Sequence, residues 1–170
     1  MQKQVEFAEA AKTKYPEQTI VAVAKDRAGK ANPITLNWTM FASGSPPMMA
    51  IAVAKGHYSV KAIEHSKCFT IAYPSAEMAK DTLFFGSRSG RDTDKFAQSK
   101  CRTEPAKQID SLLLTDAVAN FECVLESQVP AGDHVIYVGK VVAAHVNTEP
   151  KKRLYTVAAG HKLGAVTPCE

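Results

Sequence analysis

Hydrophobic and polar positions alternate with a period of two along much of this chain, and with a helical period in only a few short stretches. Residues 19–26 read Thr-Ile-Val-Ala-Val-Ala-Lys-Asp, β-branched residues alternating with alanine as in a strand. Arg27-Ala28-Gly29-Lys30 supplies a turn in which Gly29 tolerates positive φ, and residues 34–40 read as the returning strand of a hairpin. Pro33 then falls at a strand boundary or edge. Residues 41–47 hold two prolines among small residues and read as a loop, closed to helix and to central strand. Residues 48–54 are almost continuously apolar, as in a strand buried on both faces. A short helix is expected from His57-Tyr58-Ser59, with Val60 and Ile63 on one face. Residues 68–73 form another apolar strand. Pro74-Ser75 ends it and caps a helix whose apolar side is Met78, Leu83 and Phe85 and whose end is Gly86.

Residues 101–110 read as a loop. Residues 117–129 alternate well, Pro130-Ala131-Gly132-Asp133 makes a hairpin turn, and residues 134–146 form the partner strand. Gly139 within that strand marks a bulge or a sharp corner. Residues 155–159 read as a last strand before an irregular tail from Gly160. Residues 5–14 carry a weak helical pattern, which makes residues 1–18 a helical N-terminal extension. The pattern amounts to about six strands and two or three short helices. The strands are not separated by long helices, so a parallel α/β sheet does not fit and a closed or partly closed antiparallel barrel does. A chain of 170 residues suits one domain with a real core.

Charge and composition narrow the chemistry. The formal net charge of +4 is too small to argue for nucleic acid. The cluster Lys151-Lys152-Arg153 reads as a solvated turn. No apolar run is long enough to cross a bilayer, and residues 1–19 lack a signal-peptide core, so a soluble, cytoplasmic protein is expected. Cys68, Cys101, Cys123 and Cys169 show no C-x-x-C spacing, and the histidines are dispersed, so no metal site is expected. Cys68 and Cys123 fall in strand patterns and read as buried thiols. No G-x-G-x-x-G is present, which argues against a Rossmann domain. No acid–base or nucleophile constellation stands out, and no catalytic residue is assigned.

One stretch concentrates polar chemistry: Phe84-Phe85-Gly86-Ser87-Arg88-Ser89-Gly90-Arg91-Asp92-Thr93-Asp94-Lys95-Phe96. Ser87 and Ser89 are donors, Arg88, Arg91 and Lys95 are cations, and Gly90 is free to take backbone angles closed to other residues. Asp92 stands where a helix N-cap belongs. Two readings are open. The turn holds a phosphate monoester, or it is a solvated polar loop with a helix cap. Of the cations, Lys95 reads as the most solvated.

Ser89-Gly90-Arg91-Asp92-x-Asp94-Lys95-Phe96, after a helix ending in Phe85-Gly86, resembles the signature of the flavin reductase-like family, especially its flavoredoxin-like branch. The resemblance extends over residues 19–146. It implies a mainly β fold, an FMN-binding split β-barrel of Greek-key antiparallel type with a few short helices. It also implies FMN as cofactor and a homodimer with FMN near the subunit contact, for which Trp38, Phe41, Met48 and Met49 are interface material. Asn37, Trp38, Thr39 and Ser43 correspond to the strand and loop beside the flavin ring, although the residues by themselves favour Trp38 as a core or interface aromatic. Lys55, His57, Tyr58 and Ser59 correspond to a phosphate-side helix start, where Ser59 is otherwise only an N-cap. Ser87, Arg88, Ser89, Arg91 and Lys95 correspond to the second phosphate-side segment. His134, in Gly132-Asp133-His134, remains open between ligand contact and turn, and His161 corresponds to a position where the family places a ring near the active face. The implied function is a flavin reductase or flavoredoxin-like oxidoreductase. It passes hydride or electrons from NAD(P)H or a redox protein partner through FMN, with the cofactor carrying the reaction. The alternative is a non-enzymatic FMN-binding electron carrier or flavin store without a nicotinamide site.

Overall fold

The computed structural model describes residues 1–166; Cys169 lies outside the described residues. The strands are β1 (Glu17–Gln18), β2 (Ile20–Lys25), β3 (Ala31–Leu36), β4 (Thr39–Gly44), β5 (Pro47–Ala54), β6 (Cys68–Tyr73), β7 (Thr103–Pro105), β8 (Leu112–Leu114), β9 (Ala119–Ala131), β10 (His134–Val146), β11 (Tyr155–Ala158) and β12 (Lys162–Gly164). The helices are α1 (Phe7–Ala10), α2 (Tyr58–Ser66) and α3 (Ala79–Ser87).

Seven strands form one sheet in the order β3-β2-β6-β9-β10-β5-β4, every neighbouring pair antiparallel. The two edge strands, β3 and β4, are consecutive in the chain and joined only through Asn37 and Trp38. So short a link forces the sheet to curl until its edges meet at that end. No ladder joins β3 to β4 among the described residues, so the barrel is split along that seam. A small sheet, β1-β11-β12, and a hairpin, β7-β8, complete the mainly β structure.

The central strands read as continuous apolar runs because both of their faces are covered. On β2, Ile20, Ala22 and Ala24 join the barrel interior with Ile51, Phe69, Ile71 and Tyr137. Val21 and Val23 point the other way, into a second cluster with Met78, Phe85 and Leu114. Gly139 marks a bulge, as its place in the pattern predicts: the β9–β10 register shifts between Val138 and Gly139. It also permits close approach, since a Cβ there would lie 2.7 Å from both Cys123 Cβ and Phe69 Cζ. Cys68 and Cys123 are buried thiols, as expected.

Several sequence expectations are corrected. Among the described residues there are twelve strands, not six. Residues 41–44 are strand, not loop, because β4 is an edge that pairs only with β5 and leaves the prolines to the turn and the first position of the next strand. The 101–110 loop contains β7, and β12 lies within the tail beyond Gly160. Helix α3 runs through Gly86 to Ser87. No helix starts at Asp92. Asp94 caps a turn instead, its carboxylate accepting from the Ala97 N–H at 3.1 Å. Ser75 stands at the N-cap position of a 3-10 turn (Ala76–Met78), but its side chain makes no capping bond. Met49 is fully buried core rather than interface. Arg153 is no solvated cation: its guanidinium stacks 3.7 Å from the Tyr73 ring centroid and donates to Gln18 Oε1 at 3.1 Å.

Candidate functional site

Helix α2, strand β3 and the loop after α3 converge on one flank of the barrel. They enclose a cavity of about 170 Å³ lined by His57, Tyr58, Ser59, Arg88, Ser89, Arg91 and Lys95. Two segments 28 or more residues apart in the chain, both named from sequence, are thus brought together. The α2 start has His57 at its N-cap with no side-chain capping bond; the Val60 N–H donates to the His57 carbonyl at 3.2 Å, and the Tyr58 and Ser59 N–H groups remain available. Ser59 is not the N-cap. It lies inside the helix and is 3% exposed.

Lys95 departs furthest from expectation. It is 3% exposed, not solvated. Its ammonium donates to the Pro33 carbonyl at 2.6 Å and the Phe85 carbonyl at 2.8 Å. An ammonium has three donors, so one proton is left on the cavity side. Burial pushes its pKa down to about 8. Ser59 Oγ accepts from Asn32 Nδ2 at 2.8 Å, and its own proton has no acceptor among the described residues. Two deeply buried donors therefore line one cavity with a proton each to give, beneath two exposed arginines. That is the chemistry of an anion site.

Gly90 is required here for space rather than for unusual backbone angles, because its φ is not positive. A Cβ at Gly90 would stand 1.9 Å from Asn32 Oδ1 and 3.3 Å from Tyr58 Cδ1. Asn32, which sequence reading missed, thus orients Ser59 and seats the loop. It fell outside the strand expected at residues 34–40 and gave no signal of its own; β3 begins earlier, at Ala31, and that places it here.

Ile34, His57 and Gly86 also line a second cavity of about 270 Å³, with Asn37, Thr82, Ser87 and His161. This wider space mixes apolar walls with a few polar groups, among them the buried Thr82 Oγ1, which has no partner. Gly86 lets α3 lie against β3, where a Cβ would be 3.2 Å from Thr35 Cβ. His57, at the junction, has its pKa lowered by burial and then by the nearby Lys95 and His134. Ser87 Oγ donates to the Phe84 carbonyl. Asn37 Nδ2 donates to Gln18 O and to Thr156 Oγ1, tying the seam to β1 and β11.

The remaining named residues lie elsewhere. Lys55 donates to the Gly132 carbonyl across the β9–β10 turn and does not line either cavity. Trp38 and Thr39 line a shallow apolar hollow of about 190 Å³ with Met40 and Ile136. Trp38 packs 4.6 Å from the His134 ring, which is held by Asp133 at 2.7 Å. Ser43 sits on edge strand β4, paired with Met48. No group of three metal-ligating side chains occurs among the described residues, and no helix is long and apolar enough to cross a membrane.

The fold and this flank define a class: a mainly β split barrel with a donor-lined cavity opening into a wider one. A profile described as flavin reductase like domain matches residues 13–162, and the chain belongs to that family. A protein of Pyrococcus abyssi is 30% identical over 129 residues, 76% of this chain and 73% of its own. Flavoredoxin from Methanosarcina acetivorans has a similar structure, with a TM-score of 0.87 and 20% identity over 100% of this chain and 94% of that one. The NADH:FAD oxidoreductase SgcE6 of Streptomyces globisporus C-1027 has a TM-score of 0.83 and 19% identity, covering 99% of each chain. At these identities the structural likenesses speak for the fold.

Proposed function

We propose that this chain binds FMN and works as an NAD(P)H-dependent flavin reductase or flavoredoxin-like oxidoreductase. The carrying observation is the pair of buried donors, Lys95 Nζ and Ser59 Oγ, each with a proton left for a ligand in one cavity. In this reading the flavin phosphate meets Ser59, Lys95, Ser89 and the α2 first turn, with Arg88 and Arg91 closing over it. The wider cavity, on the far side of His57, takes the chain leading to the ring, and Thr82 Oγ1 meets a ribityl hydroxyl. Bound flavin supplies the redox chemistry, accepting hydride or electrons from a nicotinamide or a protein donor. The protein's own part is to orient the cofactor and hold its charge, so no protein nucleophile or strong acid is required.

A homodimer accompanies this reading. Trp38, Met40 and Phe41 are 51%, 58% and 66% exposed beside the free edge β4, and a second copy covers them. A single domain over residues 1–170 and a cytoplasmic setting go with it.

The first test is the absorption spectrum of the purified protein, followed by release and identification of the chromophore. FMN is expected. Protein that is colourless and takes up no added flavin overturns the reading. Arg88→Ala with Arg91→Ala is expected to weaken FMN binding by about tenfold per arginine, with riboflavin binding unchanged. Anaerobic titration with NADH and NADPH then separates a reductase from a carrier without a nicotinamide site.

A further inference from the structure

We infer that the Tyr58–Asp26 pair closes the phosphate cavity and makes the site select a flavin ending in a phosphomonoester over one that continues through a diphosphate. The inference rests on the reading of that cavity as the flavin phosphate site. Tyr58 lines the cavity, and it also lines a polar groove of about 610 Å³ together with Asp26, Arg27, Lys61 and Glu64. The side chain is therefore the wall common to both spaces.

That wall is braced from both sides. The Tyr58 hydroxyl donates to Asp26 Oδ2 at 3.0 Å. Asp26 Oδ1 accepts from the Ala28 and Lys30 N–H groups at 2.9 and 3.0 Å, so the β2–β3 turn fixes the carboxylate. On the other side the Tyr58 ring lies against Gly90, where a Cβ would come within 3.3 Å. Lys30 Nζ donates to the Gly90 carbonyl at 2.8 Å, tying the loop to the same turn.

A terminal phosphate fits in front of this wall. A diphosphate has to displace the ring and then pass the Asp26 carboxylate. Burial alone would raise the pKa of that group, but the Lys30 N–H, the Tyr58 hydroxyl and the Ala28 N–H outweigh it and keep Asp26 ionised. Beyond the wall, Arg27, Lys61 and His65 line the groove beside the carboxylates of Asp26 and Glu64, so a second phosphate meets like charge there as well as cations. Selection here works by exclusion: a closed wall and a like charge behind it.

The test is fluorescence titration of the flavin-free full chain with FMN, FAD and riboflavin. Wild type is expected to bind FMN at least about tenfold more tightly than FAD. Tyr58→Ala is expected to raise FAD affinity and bring the two within about threefold of each other. A merely structural defect weakens both ligands and does not raise affinity for either. Tyr58→Phe keeps the ring and most of the preference. Asp26→Asn keeps the shape, removes the charge and shifts the ratio toward FAD, which serves as the test if Tyr58→Ala does not fold. Equal binding of FMN and FAD by wild type, with both tighter than riboflavin, overturns this inference alone. An unchanged ratio in both Tyr58→Ala and Asp26→Asn does the same. FMN binding no tighter than riboflavin overturns the phosphate-site reading and this inference with it.

Discussion

Lys95 shows how much one residue's surroundings decide. Its ammonium joins β3, through Pro33, to the end of α3, through Phe85, and still faces the cavity with one proton. Its pKa in the folded chain, about 8, lies below the value of about 10.4 in an unfolded one. Between those values the unfolded chain binds more protons, so the contribution of Lys95 to stability rises with pH across that window. Anion affinity runs the opposite way, because a phosphate needs the charged form. FMN affinity is expected to fall above pH 8 by up to about tenfold per unit, and to lose that dependence in Lys95→Met. Titration of both proteins between pH 7 and 10 checks it. Gly90→Ala is the steric counterpart. Its Cβ would meet Asn32 Oδ1 at 1.9 Å. We expect a loss of about 1–3 kcal/mol, measured by urea unfolding, together with weaker flavin retention. The residue types at this site were legible in sequence. The depth of Lys95 was not, because burial depends on β3 and α3 packing over it.

At the scale of elements, β9 does more than complete the sheet. Glu122 on β9 is fully buried, and its carboxylate accepts from the N–H groups of Lys107, Gln108 and Ile109 and meets His145 at 2.7 Å. One side chain thus holds the turn between β7 and β8. Burial would raise its pKa, but the Lys107 and Gln108 N–H groups and His145 outweigh it and hold it below the ordinary value. Its stabilising effect is therefore complete above the unfolded-state pKa of about 4.3 and is lost as pH falls through the lower folded value. Glu122→Gln is expected to cost about 2–4 kcal/mol at pH 7 and to flatten the acid side of the stability profile. Urea unfolding at pH 7 and pH 4 measures both. In sequence, Glu122 was one polar position in an alternating strand. The loop that depends on it carried no pattern of its own, and for that reason β7 was missed.

For the whole molecule, the decisive feature is the seam between β3 and β4. Its short link brings the sheet edges together and leaves β4 free on its outer side, with Met40 and Phe41 exposed. Phe41→Glu is expected to shift the protein from dimer to monomer in sedimentation velocity with little loss of monomer stability. A wild type that sediments as a monomer removes the dimer from the proposed function.

The period-two alternation, the turn residues and the absence of long helices were enough to determine a mainly β antiparallel barrel, because those patterns are local. The segments His57 to Ser59 and Arg88 to Lys95 together named most of the residues that line the anion cavity, because their chemistry is intrinsic. Tertiary structure alone decided which of them meet. It set Lys55, Ser43, Trp38 and Thr39 apart from the cavity, brought in Asn32 and Asp26 from a distant hairpin, and turned Lys95 from a surface cation into a buried one. Those outcomes depend on which distant segments share a wall, and that is a property of sheet order and packing rather than of spacing along the chain.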